Sequence, residues 1–298
     1  MQSLPSKFIF FLLMLSTKLH IKADNDRQEQ HDPTMLEMLT TGYIPDGGVV
    51  VRHHTTLGII QGLQESSVGG ASVVSHYYAF RGIPYADSPD GDLRFSDPVD
   101  AVESWPNRYL DATRYGNVCL QVDPTSSKIL GEEDCLFLNV FTPLLTKTEN
   151  PSNGDGLPVL VFIHGGGFLR GSSLGLAGGR LTSQNIVLVT MNYRLGALGF
   201  LSSGDTTIPG NFGLLDQLSA LRWVQRNIAQ FGGDPNRVTL GGFSAGATSV
   251  HSHLLSPLAK GGILAHNDSQ IATTYLFAIN LRNSCLKFDG AGTKPYCK

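Results

Sequence analysis

The sequence predicts an α/β fold in which a mainly parallel central sheet is flanked by helices. Three observations carry this expectation. Leu157 to His164 (L-P-V-L-V-F-I-H) and Ile186 to Met191 (I-V-L-V-T-M) are short, continuous apolar runs of the kind that fill strands buried on both faces. Between Leu214 and Phe231, apolar residues recur at Leu214, Leu218, Leu221, Val224 and Ile228, while Asp216, Arg222 and Arg226 carry the charge, which describes a helix packed along one stripe. Arg237 to Leu240 then begins another β-branched strand, and Ala245 to Leu255 reads as a helix, so strands alternate with helices as parallel sheets require.

The elements follow in order along the chain. Lys7 precedes the apolar run Phe8 to Leu15, which has the length of a signal-peptide core and falls far short of a membrane span. Residues 1–23 are therefore expected to direct secretion, with a cut after Ala23. Residues 24–47 are polar and turn-rich and read as a linker. The glycine-broken, β-branched stretch from Val49 to Leu63 predicts a hairpin. Residues 77–106 are rich in Pro, Gly and aromatics without sustained periodicity, and predict irregular surface. The main domain is expected over 48–260 and a divergent tail over 261–298. In that tail Ile271 to Leu281 alternates like a strand, although a run this apolar also suits a short buried helix.

Composition narrows the function. The chain has 298 residues, 41% hydrophobic and 16% charged, with a formal net charge of −3 and no run of like charges. Neither a nucleic-acid surface nor an anionic-membrane surface is suggested, and a small or apolar ligand fits better. The histidines and cysteines show no metal-ligand spacing, and no cofactor motif is present. A bridge between Cys119 and Cys135 would close a short loop, worth about 3 kcal/mol by loop entropy, the alternative being buried thiols. Cys285 and Cys297 form a second pair whose connectivity spacing does not fix, and Asn267-Asp268-Ser269 is a glycosylation sequon.

The chemistry is expected at the last strand-to-helix turn. Gly242-Phe243-Ser244-Ala245-Gly246 has the form G-x-S-x-G, a nucleophile elbow in which small neighbours permit a tight turn with the serine hydroxyl exposed. A helix N-terminus there favours negative charge. Immediately after the first apolar strand, His164-Gly165-Gly166-Gly167-Phe168 lets backbone N–H groups converge without side-chain obstruction, as a developing oxyanion needs. The amides of Gly166, Gly167 and Ala245 are the expected donors and Ser244 the expected nucleophile.

Together these motifs amount to a family resemblance. Phe231 to Gly246 (F-G-G-D-P-N-R-V-T-L-G-G-F-S-A-G) resembles the active-serine signature of the type-B, cholinesterase-like carboxylesterases, and Glu133 to Pro143 (E-D-C-L-F-L-N-V-F-T-P) resembles that family's second signature. N-Y-R-L-G from Asn192, G-N-F-G-L-L-D-Q from Gly210 and F-R-G-I-P-Y-A from Phe80 extend the similarity over about Val49 to Lys260. The resemblance implies an α/β-hydrolase fold, a Cys119–Cys135 bridge and hydrolysis of carboxylic esters through an acyl-enzyme on Ser244. It departs from the family in two places. Phe243 stands where many relatives carry a carboxylate, which implies a more apolar substrate, and the Cys119–Cys135 loop holds no tryptophan, which argues against acetylcholine.

In that family the triad runs Ser, then Asp or Glu, then His, and here the text after Lys260 no longer resembles it. The expectation is a C-terminally incomplete domain, inactive or weakly active, with an open sheet edge prone to self-association. His251 lies seven residues along the helix from Ser244, about 10 Å of rise, which excludes it as the base. The alternative is a secreted, non-catalytic cholinesterase-like adhesion or ligand-sequestering protein.

Overall fold

The computed structural model describes residues 48–68, 74–101, 104–145, 156–174 and 178–259, together with the backbone of 275–277, 287–288 and 295–296. The expected signal peptide, the linker, Asn267, Cys285 and Cys297 lie outside the described residues.

One sheet organises the domain. Its strands are β1 (Val49–Thr55), β2 (Gly58–Val68), β3 (Val74–Pro84), β4 (Tyr109–Asp111), β7 (Phe137–Thr142), β8 (Leu157–Ile163), β9 (Val187–Met191), β10 (Gly233–Phe243) and β11 (Tyr275–Phe277); β5 (Gln121–Val122) and β6 (Ile129–Leu130) form a separate small hairpin. The order is β1-β2-β3-β7-β9-β8-β10-β11, with β4 paired to β2. From β1 to β9 neighbours pair antiparallel. From β9 through β8 and β10 to β11 they pair parallel. Short connections join β1 to β2 and β2 to β3 as antiparallel neighbours, whereas the parallel pairs need crossovers with room for a helix. The β8–β9 crossover carries the short helix α1 (Gly178–Thr182), and the β9–β10 crossover carries α2 (Gly196–Phe200) and α3 (Phe212–Asn227).

The apolar runs are buried as their composition predicts. Val159, Val161 and Ile163 of β8, and Val187, Val189 and Met191 of β9, join one core with Ala220, Leu221, Trp223 and Val224 of α3. The hairpin over Val49–Leu63 and the helix α4 (Ala245–Leu255) lie where the sequence predicts them. Within the alternating tail segment, β11 pairs with β10 over Gly241–Phe243.

One local expectation is corrected. Residues 77–84 are not irregular surface but part of β3, between β2 and β7, with Phe80 and Ile83 fully buried. A register shift between Phe80 and Ile83 breaks the period-two signal that would have revealed the strand. β7 falls inside E-D-C-L-F-L-N-V-F-T-P, where the motif masked its strand character. Asp216, which the sequence left as either solvated or ion-paired, is 0% exposed and paired with Arg194. Its carboxylate accepts hydrogen bonds from the backbone N–H of Arg194 at 2.9 Å and from that residue's Nη2 at 2.6 Å, while Arg194 Nη1 donates to the Ser96 carbonyl. Removing one member of a buried pair strands the other charge, so Asp216→Ala is expected to lower unfolding free energy by about 3–5 kcal/mol, measured by urea denaturation. A loss below about 1 kcal/mol would contradict the buried pair.

Candidate active site

β8 is central among the parallel strands: the chain leaves it to reach β9 on one side and later arrives at β10 on the other. Such a reversal opens a crevice outside the carboxyl ends of the two strands, where α/β sheets bind ligands. Both sequence motifs sit there, the glycine run following β8 and the serine following β10.

The elbow is held by close backbone contact. Ser244 has φ 53° and ψ −118°, a region that non-glycine residues rarely occupy and that costs about 1–3 kcal/mol. A Cβ on Gly246 would stand 2.0 Å from the Ile163 carbonyl oxygen, and one on Gly242 would stand 2.4 Å from the carbonyl carbon of Gly246. The two glycines of G-x-S-x-G are therefore steric requirements: one lets α4 press against the end of β8, the other lets the turn fold onto its own helix. The Ser244 side chain is exposed and does not cap α4, although it occupies that helix's N-cap position. The hydroxyl thus faces outward at the positive end of the helix dipole.

The glycine run packs on the elbow. A Cβ on Gly165 would lie 2.6 Å from the Phe243 carbonyl oxygen and 3.1 Å from Ser244 Cβ. Gly166 and Gly167 then turn through φ 112° and φ 65°. The amides of Leu169 and Arg170 donate to the Gly166 carbonyl and close the turn. No heavy atom lies within 4 Å of the Cβ position on Gly167, so space remains beside it. Gly166, Gly167 and Ala245 accordingly occupy facing loops at the ends of adjacent strands, an arrangement in which backbone donors can share one acceptor.

Around this crevice two exposed side chains, Phe243 and Leu169, are apolar, while Arg170 and Thr248 are exposed as well. Phe243 is 42% exposed beside the serine, its ring 3.1 Å from the Cβ position of Gly165. Leu169 is exposed, and Phe168 packs on Phe200 with centroids 5.0 Å apart. Cys119 and Cys135 form a disulfide.

The two buried histidines nearest the serine are engaged elsewhere. His164 is buried, stacked on Tyr193 at 4.4 Å, with Nδ1 2.8 Å from the Gly165 carbonyl oxygen; desolvation pulls its pKa down to about 4. His253 is buried beneath α4, where its Nε2 lies 2.8 Å from Gln217 Oε1, and burial again lowers its pKa to about 4. Gln217 Nε2 donates to Ser249 Oγ, which donates to the Ala245 carbonyl. That network braces the start of α4 from α3; a glutamine at a buried position of α3 was its only sequence signal. His251 is exposed. Among the described residues no histidine nitrogen hydrogen-bonds the Ser244 hydroxyl, and no group of three His, Cys, Asp or Glu side chains could hold a metal.

Comparison with known proteins extends this description. A family model described as the carboxylesterase family matches residues 49–268. Esterase FE4 of Myzus persicae is 52% identical over 187 residues, covering 62% of this chain and 32% of that protein. A carboxylic ester hydrolase of Bombus ignitus is 44% identical over 215 residues, covering 70% of this chain and 37% of that protein. The crystal structure of juvenile hormone esterase from Manduca sexta, with OTFP covalently attached, superposes with a TM-score of 0.63 at 41% identity, covering 72% of this chain and 40% of that one. The chain spans about a third of the length of the curated relatives it matches.

Proposed function

We propose, from the premise that this chain belongs to the carboxylesterase family, that it carries the nucleophile and the oxyanion donors of a carboxylic-ester hydrolase. Ser244 Oγ attacks the ester carbonyl carbon, and the amides of Gly166, Gly167 and Ala245 hold the negative charge that develops on the carbonyl oxygen. Collapse of that intermediate expels the alcohol and leaves the acyl group on Ser244, from which water releases the acid. The contact of Gly165 with Phe243 and Ser244 carries this reading, because it joins the two loops into one site. The base that takes the serine proton is not among the described histidines. A strained, outward serine has no evident structural use, which favours catalytic descent over an adhesion or ligand-sequestering role.

The exposed Phe243 and Leu169 support a small apolar ester as substrate, since a cationic one would find no carboxylate beside the nucleophile. Export of the protein remains part of the proposal. It is supported by the N-terminal apolar run and the disulfide, and no helix among the described residues is long and apolar enough to cross a membrane.

The test is hydrolysis of an aryl acetate by the recombinant chain. Turnover is expected to be slow, of the order of the 10³–10⁴-fold over water that binding and oxyanion stabilisation supply alone, with an acetyl group transferred to Ser244, detected by intact mass and absent in Ser244→Ala. Fast, Ser244-dependent turnover would mean that a base is present after all. Slow turnover with no acetyl group on Ser244 would instead favour the non-catalytic reading.

A further inference from the structure

We propose that Gln121 is a positioning residue for the oxyanion donors, gripping the exit of the glycine turn from the disulfide-closed hairpin; this rests on the reading of Ser244 as nucleophile. Gln121 opens β5, two residues after Cys119, and is buried. Its carboxamide behaves as a short piece of strand laid against Gly171. Oε1 accepts from the Gly171 N–H at 2.8 Å, and Nε2 donates to the Gly171 carbonyl at 2.9 Å. Nε2 also donates to the Cys119 carbonyl at 2.9 Å, on a residue whose backbone the Cys119–Cys135 bridge tethers. Only a carboxamide offers an acceptor and a two-proton donor at this spacing.

The grip reaches the serine through contacts that leave no slack. Gly171 has φ 114°, and a Cβ on it would stand 2.5 Å from the Gly165 carbonyl oxygen and 2.6 Å from His164 Nδ1. Gly165 in turn rests on Phe243 and Ser244. The amides of Gly166 and Gly167 therefore lie between two anchored points, the elbow at one end and the Gln121 clamp at the other. Asn139 and Asn192 also hold the return limb, but they bond Ser173, two residues beyond the glycine that touches the turn. Losing Gln121 would leave the turn free to shift at its exit, and displacements of about 1 Å at such donors cost on the order of 10²-fold in rate.

The experiment compares the full chain with Gln121→Ala and Gln121→Glu by two readouts. One is the rate at which a fluorophosphonate labels Ser244, followed by intact mass: the serine oxygen bonds to phosphorus, fluoride leaves and the hydroxyl proton passes to solvent. The other is amide hydrogen exchange of the segment 164–174, with 245–255 as an internal control. Gln121→Ala is expected to slow labelling at least tenfold and to speed exchange in 164–174 at least tenfold, leaving 245–255 unchanged. Gln121→Glu places a carboxylate against two carbonyls, so it should resemble the alanine variant at pH 8. It should recover severalfold toward pH 6.5 as the acid gains a proton to donate, whereas wild-type labelling does not rise on acidification. Wild-type labelling and exchange in Gln121→Ala, or a Gln121→Glu variant without the recovery, would overturn the clamp. A wild-type chain that the probe never labels would instead overturn the assignment of Ser244, and the positioning role with it, even if exchange responds.

Discussion

Gly246→Ala is expected to destabilise the protein by about 3 kcal/mol and to slow fluorophosphonate labelling of Ser244 roughly 10²-fold. The added methyl group would sit 2.0 Å from the Ile163 carbonyl oxygen and 2.7 Å from that of His164, distances that only movement of backbone can relieve. Either α4 backs away from the end of β8, or the glycine run shifts relative to the elbow, and both displace Ser244 from the amides of Gly166 and Gly167. The stability loss arises because the contact is with main chain on an adjacent, fully packed strand, where no flexible side chain can yield. His251→Ala, on the exposed face of the same helix, is the control: it should stay within about 0.5 kcal/mol of wild type and leave labelling unchanged. Urea unfolding together with labelling kinetics measures both. Wild-type values for Gly246→Ala would mean that the elbow is not pressed against β8.

Acidification from neutral pH should remove several kilocalories of stability through two buried histidines. His164 and His253 are held neutral by burial, with pKa values of about 4 against 6.5 when unfolded. Between these limits the unfolded chain binds the protons and the folded chain does not, so unfolding free energy rises with pH. The contribution is fully present above about pH 6.5 and is lost progressively as pH falls toward 4, reaching about 3 kcal/mol for each histidine. His53, which burial also shifts downward, acts in the same direction. Urea midpoints between pH 7.5 and 4.5 should fall steeply. His253→Gln, which keeps a donor for Gln217 Oε1, should flatten the profile by about half, the remainder belonging chiefly to His164. A midpoint independent of pH across this window would contradict the burial of both rings.

What could be read from the chain was what neighbouring residues decide among themselves. β8, α3 and α4 announce themselves through apolar runs and helical spacing, because burial on two faces or along one stripe leaves a periodic trace within a dozen residues. The elbow was legible for the same reason: Gly242, Ser244 and Gly246 form one turn, and its steric demands act over five positions. The spacing of Cys119 and Cys135, too, suited the bridge that the structure contains.

Tertiary structure alone decided the rest. β3 was hidden because a register shift erased its alternation, and Asp216 stood on the apparent polar side of α3 until Arg194, from the loop after β9, closed over it. That His164 and His253 are sealed from water, that Gln121 grips Gly171, and that Gly165 touches Ser244 each depends on segments far apart in sequence. The physical reason is common to all of them: a local pattern specifies which face of an element must be buried, whereas strand order and crossover specify what meets that face. Only when β8 and β10 lie side by side do a glycine run and a strained serine become one site.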